Sequence, residues 1–243
     1  MIGIQDITFN GKSLTEYGCV ITESPKRPFP QRRYEKQSVY GRSGDLIIDG
    51  ESYDNIQLVY KAATVPGLYG DRFVDEVLSE LKAWLCSSVE YQKLYDTELP
   101  DGFYYAFCSG ISDAVCTFDD MFEFEISFDM KPFFYLDLGQ NAITVTQNSL
   151  TLYNPGTLSS KPIIEIKGNG TIVCQMGGKQ FTISDFDENI VIDSERMLVN
   201  SNGEDSYSRF SGDYPILTVG NNTITFTGEG FLSAKIIPGW CRL

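Results

Sequence analysis

The chain has 243 residues, with 33 acidic against 19 basic side chains for a formal net charge of −14, and no histidine. The acidic balance argues against a protein that holds nucleic acid or an anionic membrane surface by neutralising phosphates. Without histidine, Ser-His-Asp and Cys-His catalysis, His-zinc sites and the usual proton shuttle near pH 7 are all missing.

Hydrophobic residues make up 42 % of the sequence, enough for packed cores. No apolar run approaches the roughly 20 residues that cross a bilayer. The opening Met1-Ile2-Gly3-Ile4-Gln5-Asp6 has neither the basic start nor the apolar stretch of a signal peptide, so synthesis in a cytoplasm without export by the usual route is expected. The six cysteines, Cys19, Cys86, Cys108, Cys116, Cys174 and Cys241, form no CxxC pair and are read as mostly buried small apolar residues. A reducing compartment disfavours a Cys108–Cys116 bridge across a hairpin.

Residues 4–9 read as a strand, Asn10-Gly11-Lys12 as a turn and residues 17–22 as its partner, because Asn-Gly is a strong hairpin signal. A second hairpin is expected where Val39-Tyr40 and Leu46-Ile47-Ile48 flank Gly41-Arg42-Ser43-Gly44-Asp45, followed by a strand over 55–62. The period then changes. Phe73, Val74, Val77, Leu78, Leu81, Trp84 and Leu85 recur at helical spacing behind Asp71 as N-cap, predicting a four-turn amphipathic helix. Phe122, Phe124, Ile126 and Phe128 alternate with Glu123, Glu125, Ser127 and Asp129, which predicts a strand with aromatics on one face and mostly acids on the other.

That strand is expected to end at Pro132, placing a domain boundary at residue 137. The charge agrees: residues 1–137 carry 23 acids and 12 bases, a balance of −11, while 138–243 carry 10 and 7, a balance of −3. The second domain shows no helical period. Short runs at 162–167, 171–176, 190–193, 216–219, 223–227 and 234–237, separated by Gly, Asn and Asp, fit a β-sandwich.

Several residue patterns suggest chemistry. Glu123 and Glu125 point the same way about 7 Å apart, a spacing compatible with paired carboxylates, but one strand face does not place them across a cleft. An acidic stripe facing solvent or a subunit is the better reading. Asp185-x-Asp187-x-Asn189 opens like a calcium loop, yet Ile190 stands where glycine is needed and Arg196 where the bidentate glutamate is needed. Gly168-x-Gly170 has Val173 in place of the third glycine of a dinucleotide fingerprint and reads as a turn. Asn169-Gly170-Thr171 and Asn221-Asn222-Thr223 match the glycosylation sequon but read as turns with exposed amides, and Trp240 reads as core in preference to a sugar platform. No metal or cofactor site is expected.

Lys26, Arg27, Arg32, Arg33 and Lys36 cluster around Pro25, Pro28 and Pro30, concentrating positive charge on an extended segment. They form either a solvated loop or a contact between subunits, with Glu123 and Glu125 of the next copy as the complementary face. Such a contact is heterologous and closes into a ring when the rotation permits.

Longer stretches resemble a known family. Asn154-Pro155-Gly156-Thr157, Lys161-Pro162-Ile163-Ile164-Glu165-Ile166, Ile192-Asp193-Ser194-Glu195, Gly212-Asp213-Tyr214-Pro215-Ile216-Leu217, Gly220-Asn221-Asn222-Thr223-Ile224 and Ile237-Pro238-Gly239-Trp240 occur in an order and spacing similar to the distal tail (Dit) proteins of long-tailed phages. Ile7-Thr8-Phe9-Asn10-Gly11, Tyr17-Gly18, Gly41-Arg42-Ser43-Gly44-Asp45 and Phe128-x-x-Lys131-Pro132 extend the resemblance more loosely over the first half. It implies a mainly β fold with one helix, comprising a split-barrel-like ring-forming domain over 1–137 and a galectin-like β-sandwich over 138–243. It also implies a non-enzymatic subunit of a virion tail tip, made in the bacterial host cytoplasm. The implied hexameric ring joins the major tail tube protein to the tail-associated lysin or tail fibre and serves as a dock for receptor-binding proteins. The galectin-like label raises an alternative, a carbohydrate-binding module for host cell-wall glycans, although galectin-type sites rely on the histidine that is missing here.

Overall fold

The computed structural model describes residues 5–118 and 120–243, so Ile4 of the expected first strand, and Met1-Ile2-Gly3 of the opening segment read for a signal, lie outside the described residues. The chain divides into two compact units, one running to Phe134 and the other from Tyr135 to Arg242. The first begins with β1 (Ile7–Phe9), β2 (Lys12–Ser13), β3 (Cys19–Glu23), β4 (Arg32–Gln37), β5 (Leu46–Tyr53) and β6 (Ile56–Thr64). Helix α1 (Val74–Leu85) follows, then β7 (Gln92–Asp96), β8 (Gly102–Ile111), β9 (Val115–Phe118) and β10 (Met121–Leu136).

Strands β2, β1, β7, β8, β10, β6 and β3 lie side by side in that order in one curled sheet, and β9 adds to β10. The Asn-Gly turn forms as expected, with Asn10 and Gly11 at φ 49° and 77°. Its partner strand differs from expectation. β2 closes the hairpin, and a 3-10 turn over Leu14–Tyr17 diverts the chain so that β3 pairs with β6. Ser13 caps that turn by accepting from the Thr15 N–H at 3.1 Å, while Glu16 accepts the Ser13 N–H at 3.0 Å.

Helix α1 spans 12 residues, about three turns. Phe73, not Asp71, is its N-cap; its side chain makes no capping bond, and Glu76 reaches back to accept the Phe73 N–H at 3.3 Å, satisfying one donor of the helix end. Val77, Leu81, Trp84 and Leu85 are buried against the sheet. Trp84 stacks on Tyr17 at 4.8 Å and donates its indole N–H to the Phe9 carbonyl at 3.0 Å, so the large ring is buried with its polar atom satisfied.

β10 extends the alternation read at 122–129 through Pro132 to Leu136, correcting the expected stop at the proline. Its ladder with β6 ends at Met130 opposite Ile56, so Pro132 lies beyond that ladder and removes no N–H from it. Phe124, Ile126, Phe128 and Met130 enter the core, while Glu123 and Glu125 remain outside.

The second unit is a β-sandwich: β11 (Ile143–Val145), β12 (Ser149–Asn154), β13 (Ile163–Met176), β14 (Lys179–Asp193), β15 (Leu198–Ser201), β16 (Glu204–Asp205), β17 (Phe210–Gly212), β18 (Gly220–Thr227) and β19 (Phe231–Ile237). The long hairpin of β13 and β14 pairs with different strands along its length. Residues 163–168 of β13 pair with β19, and 173–175 pair with β18. Residues 191–193 of β14 pair with β15, and 181–183 with β17. A bulge falls between Gly170 and Ile172, and the two runs expected at 162–167 and 171–176 are one strand. Gly168-x-Gly170 is therefore part of a bulged strand and not a turn, and a Cβ on Gly168 would collide with the Gly230 carbonyl. The run at 216–219 is not a strand; Leu217 makes an isolated bridge to Ser160.

All six cysteines are free thiols; Cys19, Cys108, Cys174 and Cys241 are buried and Cys86 and Cys116 exposed. Desolvation pushes the first three buried thiols up to about 12 and Cys241 up to about 11. Because the thiolate is the nucleophile, Ellman's reagent at pH 8 is expected to titrate two thiols quickly in the native protein and six in denaturant. Four or more fast thiols in the native protein would contradict this burial. Since these pKa values are raised in the folded chain, the stability they confer is complete below the ordinary thiol value near 9 and declines as pH rises toward 11 or 12.

Candidate subunit interface

The basic segment does not form one continuous positive surface. Arg27 turns into its own unit and bonds Asp96 at 2.7 Å and Glu98 at 3.0 Å. Asp96, only 5 % exposed, also accepts the Tyr60 hydroxyl at 2.8 Å and the Glu98 N–H at 2.9 Å. Burial alone would lower the Arg27 pKa, but the hydrogen bonds Arg27 donates to Asp96 and Glu98, together with the Asp96 charge, outweigh it and raise it. Burial, followed by the Asp96 charge and hydrogen bond, raises that of Tyr60. Arg27 is thus a fastening of the proline-rich segment to β7.

Arg32, Arg33 and Lys36 lie on β4, which pairs with β5 as a separate two-stranded sheet. This corrects the expected hairpin, whose first strand was placed at Val39-Tyr40; those residues belong to the loop. The register sets Tyr34 opposite Asp49 and Lys36 opposite Ile47 on one face, with Glu35 opposite Ile48 and Gln37 opposite Leu46 on the other. Arg32 grips Asp49 in bidentate fashion, with its Nε at 2.8 Å, and lies over the Tyr53 ring at 5.7 Å. Arg33 pairs with Asp54 at 2.6 Å. Lys36 sits over the Tyr34 ring at 5.6 Å and has no ion-pair partner among the described residues. Lys26 is exposed.

Every residue of β4 is exposed, as are Leu46, Ile47 and Ile48 of β5 and Val39 and Tyr40 of the loop. Arg32, Tyr34, Lys36, Ile47 and Asp49 line a cavity of about 440 Å³ on one face of the hairpin. Apolar side chains on both faces of an otherwise solvated hairpin form a surface that another chain can cover.

Glu123 and Glu125 occupy the solvent face of the curled sheet. Lys61 of β6 stands between Glu125 of β10 and Glu23 of β3 in register and bonds Glu23 at 2.6 Å. That hydrogen bond lowers the Glu23 carboxyl and raises the Lys61 ammonium. Exposed Val59 lies two residues along β6 opposite Ser127. The structure therefore does not bring the five cations together, and leaves Lys36 on one surface and Glu123 with Glu125 on another.

The remaining motifs are structural. Asp185, Asp187 and Asn189 lie along β14, and no group of three potential metal ligands comes together among the described residues. The sequon asparagines Asn169 and Asn221 are exposed, as expected, but they lie within β13 and β18 and not in turns; the neighbouring Asn222 points inward. It is buried, accepts the Thr218 N–H at 2.8 Å and donates to the Thr218 and Gly220 carbonyls at 2.7 and 3.0 Å. Asn154 likewise donates to the Leu158 and Leu217 carbonyls and accepts the Gly156 N–H, and a Cβ on Gly156 would collide with the Cys241 carbonyl. Ser160 donates to the Pro238 carbonyl at 2.8 Å, and Trp240 is buried. The phrases around 154, 217 and 238 thus meet at one place in the second unit.

No family model matches the sequence, and no curated protein is significantly similar to it. A curled β sheet bearing one helix, followed by a β-sandwich, is a fold also found in a phage distal tail protein. In particular, the chain is similar to the crystal structure of the Dit protein of phage SPP1. The TM-score is 0.73 at 16 % identity, over 96 % of this chain and 98 % of that one. That protein is described as a paradigm of the hub adsorption apparatus in phages infecting Gram-positive bacteria. At this identity the likeness is one of fold.

Proposed function

We propose that the chain is a structural subunit of a phage or prophage tail tip, self-assembling through residues 1–137 into a ring, with the sandwich of 138–243 available to further tail components. The observation that carries this reading is the end-to-end fold likeness to a tail hub protein, since both units and their order are shared. The exposed apolar hairpin supports it, because a subunit needs a surface that remains uncovered until assembly. The ring is hexameric in this reading, and the tail tube protein, the tail-associated lysin or fibre and a receptor-binding protein are its neighbours. Light scattering of the purified protein is expected to give a particle near six times 27.3 kDa, seen as rings in negative stain. A monomer at all attainable concentrations would overturn the self-assembling ring.

A further inference from the structure

The hairpin face and the acidic sheet face of the N-terminal unit are complementary. On the hairpin, Arg32 is neutralised by Asp49, so the cavity lining keeps one uncompensated cation, Lys36, beside the apolar Tyr34 and Ile47. On the sheet, one cation, Lys61, lies among Glu23, Glu123 and Glu125, leaving a net negative patch next to exposed Val59. With a net charge of −14, two copies repel wherever like surfaces meet. A cation beside apolar side chains meeting acids beside an exposed valine avoids that cost and covers the apolar surface of both.

We infer that the occupant of the hairpin cavity is the solvent face of β3, β6 and β10 of a second copy, with Lys36 seated at Glu123 and Glu125 and with Tyr34 and Ile47 over Val59. This rests on the self-assembly proposed above and names the two surfaces that assembly brings together. The two patches lie on different elements, so the contact is head-to-tail: a pair of copies leaves one hairpin and one acidic face uncovered, and further copies cover these until the ring closes. Neither Arg27 nor Arg33 takes part, since each already holds a carboxylate of its own chain.

The test is a charge exchange between separately purified full-length variants, followed by sedimentation velocity. K36E is expected to weaken association by at least about tenfold, and the pair E123K/E125K to do the same. An equimolar mixture of the two variants is expected to recover association, because the retained hairpin of one meets the retained acidic face of the other and the two altered surfaces are again opposite in charge. Thermal melts should be unchanged, since all three side chains are exposed; K36Q provides a milder variant with an intermediate loss. Association of K36E at wild-type strength would overturn the inference and leave the ring intact. Loss in K36E without recovery in the mixture would overturn the choice of the acidic face. A wild-type protein that never associates would overturn both this contact and the ring.

Discussion

If the chain self-assembles as proposed, replacing residues 32–53 by a short Gly-Ser turn is expected to leave a folded monomer. The cut is local because Asp54 donates its backbone N–H to the Gln31 carbonyl at 2.9 Å, so the two ends of the hairpin already stand side by side. The hairpin contributes little to the core. Its β4 side chains are exposed, and the edge contact of Tyr53 on Phe133 at 5.8 Å is worth about 1 kcal/mol. The melting temperature should fall by only a few degrees while the assembled particle disappears from light scattering. Unfolding of the truncated chain would contradict this account of the hairpin, and persistent rings would move the subunit contact elsewhere.

The second large effect concerns stability. Asp96→Ala removes the carboxylate that Arg27, Tyr60 and the Glu98 N–H share at 2.7–2.9 Å in a nearly solvent-free position. Breaking a buried pair from one side leaves the partner charge uncompensated, at a cost of about 3–5 kcal/mol. Arg27 retains Glu98 and is part-exposed, which places the expected loss at the lower end of that range. A drop in melting temperature on the order of 10 °C is expected. Asp96→Asn keeps an acceptor for the Tyr60 hydroxyl and should cost less. Urea unfolding of D96A, R27A and the double variant measures the coupling; strictly additive losses would show that Arg27 and Asp96 do not act as a pair.

These two predictions concern different parts of one basic run that looked uniform in sequence. Arg27 and Arg32 are both arginines among prolines, yet one fastens a loop to Asp96 and the other sets the register of a hairpin against Asp49. Nothing local distinguishes them, because their partners stand 69 and 17 residues away. The strand character of β4 was hidden for a related reason. A hairpin solvated on both faces has no apolar alternation, so Arg32-Arg33-Tyr34-Glu35-Lys36-Gln37 shows no period of two.

Where one face of an element is buried, the sequence was sufficient. The alternation of Phe122, Phe124, Ile126 and Phe128, the helical spacing of Val77, Leu81, Trp84 and Leu85, and the Asn10-Gly11 turn all announced their elements, because burial on one side imposes a period and positive φ imposes a residue type. It also determined the lack of histidine chemistry and the acidic charge. The tertiary structure alone decided which strand each segment pairs with, that Asn154 and Asn222 are buried connectors, and which cations are compensated. Those outcomes depend on groups brought together from distant positions in the chain, and no local period or composition records such a meeting.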